Sequence, residues 1–193
     1  MSCGRLHSIK GRLQYLLRGR IPKLWRRNYR LESVGETNNR TLQQYVARQP
    51  DRHRMADERA RQLLDERQFC DESIDLAAVR HSAHGQFLYN LHVVLENTDH
   101  LHDVSAKRLA RTREMIVAAC AKHAWQLGRN GLVSNHVHIL VGCAMTDVPQ
   151  TIALSLLNNI AFAHGMLPML EFSAYVGTFG VYDRGAIRRA LGS

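Results

Sequence analysis

The chain has 193 residues, 45% of them hydrophobic, and its 26 lysines and arginines against 17 carboxylates give a net charge of +9. That length and composition suit one globular domain, or one domain with a substantial arm, and allow a real core. Cys3, Cys70, Cys120 and Cys143 are scattered with no Cys-x-x-Cys pair, which argues against a zinc ribbon and against a disulfide-stapled secreted module.

The N-terminus has no apolar leader, and no apolar run is long enough to cross a bilayer, so a reducing cytoplasm is the expected address and a membrane is not an expected partner. The positive charge is unevenly spread. From Met1 to Leu31 there is no carboxylate, while Arg5, Lys10, Arg12, Arg18, Arg20, Lys23, Arg26, Arg27 and Arg30 all fall there. These cations alternate with apolar residues, as suits an ordered element that neutralises phosphates and releases their counterions.

Leu6 to Arg18 carries Ile9, Leu13, Leu16 and Leu17 on one side at helical spacing, and Gly19 and Pro22 end that helix. Leu24 to Val34 reads as a strand closed by Gly35. Asn38 or Asn39 then N-caps a helix through Thr41, Leu42, Tyr45 and Val46 towards Gln49, where Pro50 follows. Residues 51 to 68 read as a solvated connecting helix, and the polar, turn-rich stretch 70 to 86 is the best boundary. Phe87 to Leu95 reads as a strand, Ala106 to Trp125 as a long amphipathic helix, and Leu127 to Val133 and His136 to Gly142 as two further strands. Asp147 before Pro149 opens a helix with Ile152, Leu156, Ile160 and Ala163 on one face, followed by a strand Tyr175 to Phe179 and a short helix from Asp183.

This order predicts an α+β fold: a ferredoxin-like antiparallel sheet with helices on one face in residues 76–193, and a basic helix-strand-helix arm in residues 1–75. The two ends also resemble each other. Glu32 to Val46 aligns without gaps on Gly177 to Leu191, so that Gly35 falls on Gly180, Leu42 on Ile187, Val46 on Leu191 and Tyr45 on Ala190. Duplication or permutation of one segment is the preferred reading of this match, over chance or a shared β-turn-α pattern.

His136-Val137-His138 is the sharpest chemical motif. Alternate residues of a strand face the same way, about 7 Å apart at Cα, so both imidazoles can converge on one divalent ion while Val137 enters the core. Tyr45 and Gln49 form a second pair, four residues apart on the expected helix and hence on one face. A tyrosine hydroxyl can attack a phosphodiester, and a glutamine carbonyl is a hard donor suited to Mg2+ or Mn2+.

Together NHVHILV, SIKGRLQYLLR, LWRRNYRLESVG and TLQQYVARQ resemble the single-tyrosine HUH (His-hydrophobe-His) transposases, the group that includes insertion-sequence and REP-associated tyrosine transposases. The resemblance implies Tyr45 as nucleophile, His136, His138 and Gln49 as ligands of Mg2+ or Mn2+, and a 5′-phosphotyrosine intermediate. It implies single-stranded DNA as partner, read as the hairpin ends of a mobile element, and a homodimer. Lys10, Arg12, Arg26 and Arg27 are then candidates to hold the DNA backbone, with Trp25 or Tyr29 stacking on bases. One departure stands out: the tyrosine helix usually follows the HUH strand, whereas here it precedes it, and the copy in the usual place carries Ala190. Tyr182 lies downstream of that strand and is the rival nucleophile, although the repeat puts it at a turn. Tyr175 reads as packing. His53, His81, His84, His92, His100 and His102 read as surface, turn or core residues, His92 being the one most apt to approach the site. A domesticated, non-cleaving hairpin binder is the alternative reading, and an unrelated metal-dependent hydrolase is a second.

Overall fold

A five-stranded antiparallel sheet organises the chain, in a computed structural model that describes every residue except 1, 2, 25–28, 53–57, 84, 101, 167, 168, 192 and 193. In chain order the elements are α1 (Cys3–Leu17), β1 (Tyr29–Glu32), α2 (Asn39–Ala47), α3 (Gln49–Arg52), α4 (Glu58–Arg67), β2 (Phe69–Cys70), β3 (Arg80–Ser82) and β4 (Gly85–Leu88). There follow β5 (Asn90–Glu96), α5 (Ala106–Lys122), β6 (Gln126–Leu132), β7 (His136–Gly142), α6 (Pro149–Ala163), β8 (Tyr175–Phe179) and α7 (Arg184–Leu191).

The large sheet has the order β2-β6-β7-β5-β8. Its last four strands and the helices α5 and α6 make the β-α-β-β-α-β ferredoxin-like unit, and every pairing in this sheet is antiparallel. Period-two alternation divides its faces. Leu91, Val93 and Leu95 of β5, with Val137, Ile139 and Val141 of β7, point to one side, where they pack on Ile116 and Cys120 of α5 and on Ile152, Leu156 and Ile160 of α6. Those helical positions recur at three- and four-residue intervals, which is why α5 and α6 lie flat on the sheet. The Ser105 side chain caps α5 by accepting the Arg108 N–H. Val148 rather than Asp147 holds the cap position of α6, and Asp147 Oδ2 instead accepts the Ala144 N–H at 2.6 Å.

The opposite face carries a smaller cluster, in which Leu42 and Val46 of α2 pack with Leu76, Leu140 and Phe179. A side chain at Gly131 of β6 would collide with Val46, so the bare backbone there is what lets α2 lie on the sheet. A second sheet, β1-β4-β3, pairs β1 in parallel with β4.

Several boundaries differ from those expected. Phe87 to Leu95 is two strands parted at Tyr89, because β4 pairs with β1 and β3 whereas β5 pairs with β7 and β8. Within Leu24 to Val34 the strand is Tyr29–Glu32, and residues 25–28 lie outside the described residues. The connecting segment holds two helices, and α4 is not simply solvated: Leu64 is completely buried. The turn-rich stretch contains β3, and Cys70 closes the edge strand β2 on β6.

Candidate active site

α2 is held over the sheet by a reciprocal joint between the two similar segments. The Asn39 N–H donates to the Gly180 carbonyl at 2.7 Å, and the Arg184 N–H donates to the Gly35 carbonyl at 2.9 Å. Ser33 Oγ donates to the Phe179 carbonyl, and Thr178 Oγ1 donates to the Val34 carbonyl. Asn38 Oδ1 caps α2 by accepting from the Thr41 N–H at 3.0 Å, as Asp183 Oδ1 accepts from the Ala186 N–H at 2.7 Å at the start of α7. Under the alignment of Glu32–Val46 on Gly177–Leu191, each of these contacts has its counterpart. Gly35 and Gly180 are the contact points themselves, since a Cβ on Gly35 would overlap the Thr178 carbonyl and one on Gly180 would overlap that of Ser33.

The joint aims Tyr45 at the histidines of the same chain. Tyr45 presents its ring edge-on to His138, with centroids 5.6 Å apart and planes at 86°. Thr37, Thr41, Leu42 and Tyr45 form one wall of an open cleft of about 440 Å³, and His92, Val94, His138 and Tyr175 form the other. His136 and His138 share a face of β7 as expected, and their Nε2 atoms are 3.0 Å apart. Val137 is buried in the core on the other side.

The hydrogen bonds around this pair constrain the tautomers of its neutral rings. His136 Nδ1 lies 2.9 Å from Asn135 Oδ1, which can only accept. His136 in its neutral form therefore carries its proton on Nδ1 and turns the Nε2 lone pair towards His138. On the far side of the His138 ring, Nδ1 lies 2.9 Å from His92 Nε2. His92 stacks on His138 at 5.2 Å between centroids and meets Tyr175 edge-on at 5.7 Å. Burial pushes the His92 pKa down to about 4, so this imidazole is neutral near pH 7.

The histidine pair fits a divalent ion. Two nitrogens bound at about 2.1 Å on adjacent corners of an octahedron stand about 3 Å apart, the separation of the two Nε2 atoms. Among the described residues no group of three or more His, Cys, Asp or Glu converges as a metal site, so these side chains supply a pair of donors. The thiols are elsewhere: Cys120 and Cys143 are buried, and desolvation raises both pKa values.

Gln49 and Tyr45 do not lie on one continuous helix. α2 stops at Ala47, and the Arg48 N–H closes it on the carbonyls of Gln44 and Tyr45. Pro50 has no N–H to extend the ladder and its ring would crowd the Val46 carbonyl, so Gln49 opens α3 instead. Its side chain is 2% exposed and is not part of the cleft wall. Tyr182 is exposed in the turn before α7 and is likewise not part of that wall. Lys10 is half-buried and Arg12 exposed on α1, while Trp25, Arg26 and Arg27 lie outside the described residues. His92 and Tyr175 are the cleft residues that sequence reasoning undervalued. The signal for His92 was its alternation with the core residues Leu91 and Val93, which turns it to the face that His138 occupies.

No protein-family model and no curated protein matches the sequence. Among solved structures, the chain is similar to one assigned as a transposase from Deinococcus radiodurans R1, at 15% identity and a TM-score of 0.43, over 53% of this chain and 88% of that one. It is also similar to a REP-associated tyrosine transposase bound to a REP hairpin, at 8% identity and a TM-score of 0.43, over 53% of this chain and 61% of that one.

Proposed function

We propose that the chain is a metal-assisted nuclease-transposase that cuts and rejoins single-stranded DNA through a covalent bond to Tyr45. The observation that carries this reading is the approach of Tyr45 to His138 across an open cleft, with His136 and His138 presenting two nitrogens at the spacing of metal ligands. His136 and His138 would hold Mg2+ or Mn2+. Gln49, buried at the start of the next helix, is the third proposed ligand. A bound divalent ion supplies Lewis-acid polarisation of a phosphate oxygen.

Tyr45 Oη attacks the scissile phosphorus in line, forming a phosphotyrosine ester as the bond to the 3′ oxygen breaks. The phenolic proton goes to solvent, and the departing 3′ oxygen takes one up. One ester replaces another, so a second 3′-hydroxyl can reverse the step and reseal a strand without ATP. A hairpin end of a mobile element is the proposed DNA, and the basic helix α1 is the proposed backbone contact.

The test is a denaturing gel of protein incubated with labelled single-stranded hairpins and Mn2+, beside Tyr45→Phe and Tyr182→Phe. A covalent adduct that disappears only in Tyr45→Phe is expected. Loss only in Tyr182→Phe would move the nucleophile. Tight hairpin binding without any adduct would make the chain a non-cleaving binder, and multiple turnover without an adduct would make it a hydrolase.

A further inference from the structure

We propose that His92 is a positioning residue that sets the tautomer of His138, and thereby decides whether the histidine pair can accept a metal ion. This rests on the metal reading given above. Asn135, His136, His138 and His92 form one continuous line of ring contacts, at 2.9 Å, 3.0 Å and 2.9 Å. Because Asn135 Oδ1 only accepts, a neutral His136 ring has its proton on Nδ1 and a lone pair on Nε2. In the metal-free line His138 Nε2–H therefore donates to His136, and His92 Nε2–H donates to His138 Nδ1. In that arrangement the proton on His138 Nε2 blocks the metal.

A divalent ion between the two Nε2 atoms would select a second arrangement. His138 carries its proton on Nδ1 and donates it to a lone pair on His92 Nε2, leaving both Nε2 atoms of the pair as lone pairs. His92 then has its own proton on Nδ1. No proton is gained or lost between the two arrangements, since each ring stays neutral and only exchanges the nitrogen that bears hydrogen. His92 cannot join the pair as a third donor without turning a ring, because it faces the His138 nitrogen opposite the one that faces His136. Its task is to accept, as outer partners of metal-bound histidines do.

The experiment titrates Mn2+ into wild type, His92→Leu and His92→Gln, with free Mn2+ read by electron paramagnetic resonance. Pulsed resonance counts the imidazoles on bound Mn2+, and melting of the metal-free proteins checks the fold. Leucine, with no acceptor, is expected to weaken Mn2+ binding about 10–100-fold. Glutamine, whose carbonyl can accept, is expected to restore most of it, with two imidazoles counted in both wild type and His92→Gln. Wild-type affinity in His92→Leu would overturn the role of His92 alone. Three imidazoles in the wild type would make His92 a ligand and overturn it too. Wild-type protein that holds no Mn2+ would remove the metal from the proposed reaction as well as this role for His92.

Discussion

Asn135 illustrates how one uncharged side chain can govern a charged site. By accepting from His136 Nδ1 at 2.9 Å it selects, in the neutral ring, the tautomer whose Nε2 lone pair is aimed at its neighbour. Asn135→Leu is therefore expected to lower Mn2+ affinity about 10–100-fold in the same titration, and Asn135→Asp, which keeps the acceptor, is expected to retain binding. Unchanged affinity in Asn135→Leu would show that the tautomer is set elsewhere. At this scale the sequence was most legible where periodicity is short. His136 and His138 are two residues apart on a strand, so their common face needed only local geometry. The helix break between Tyr45 and Gln49 was not legible, because it depends on whether one turn of helix survives Pro50, and the chain breaks at Arg48 instead. The contact between His92 and His138 joins residues on two strands, and no local pattern gives their register.

Among the elements, α2 and α7 begin from equivalent joints, and the glycines at their contact point carry a testable load. Gly180→Ala places a methyl group against the Ser33 carbonyl, which is backbone and cannot simply rotate away. The joint must then open, with a cost of roughly 1–3 kcal/mol by analogy with overpacked cores. Gly180→Ala is expected to lower the melting temperature and to reduce the Tyr45 adduct, although residue 180 touches no substrate. An adduct yield equal to wild type would mean that α2 is positioned by its core contacts alone. The repeat behind this joint was visible as a sequence match, but its reciprocity was not, because hydrogen bonds between segments so far apart leave no trace in either one. The helix pair α5–α6 carries a different handle. His164 Nε2 lies 2.9 Å from Thr112 Oγ1, and burial, with the Arg111 charge second, lowers the His164 pKa below the ordinary histidine range. Folding thus favours the neutral ring. Its contribution is complete above about pH 6.5, where the unfolded histidine is also neutral, and is lost as the pH falls through the folded value. His164→Gln is expected to flatten the dependence of melting temperature on pH across that acidic range, and an unchanged slope would assign it to other groups.

For the whole molecule, charge and connectivity matter more than any one interaction. With a net charge of +9 and a carboxylate-free N-terminal segment, binding to single-stranded oligonucleotides is expected to weaken steeply with salt. Replacing Lys10 and Arg12 together by glutamine should shrink the slope of log affinity against log salt by roughly 0.7 for each phosphate that is no longer neutralised, and an unchanged slope would exclude α1 from the interface. The ferredoxin-like order was legible from the sequence because each strand and helix of residues 90–179 carries its own period. The lodging of α2 on the far face was not, since it depends on gaps such as Gly131 in a strand distant along the chain. The reciprocal joint has a consequence for biosynthesis. Asn39 and Arg184 exchange hydrogen bonds with Gly180 and Gly35, so the joint beneath α2 cannot form until residue 184 has left the ribosome. A chain that ends between His138 and Gly180 carries Tyr45 and the histidines without that joint, and is expected to form no adduct with DNA. Premature termination before that joint would thereby leave the proposed cleavage chemistry unassembled, a form of quality control in which a fragment holding all the reactive side chains still cannot break a strand.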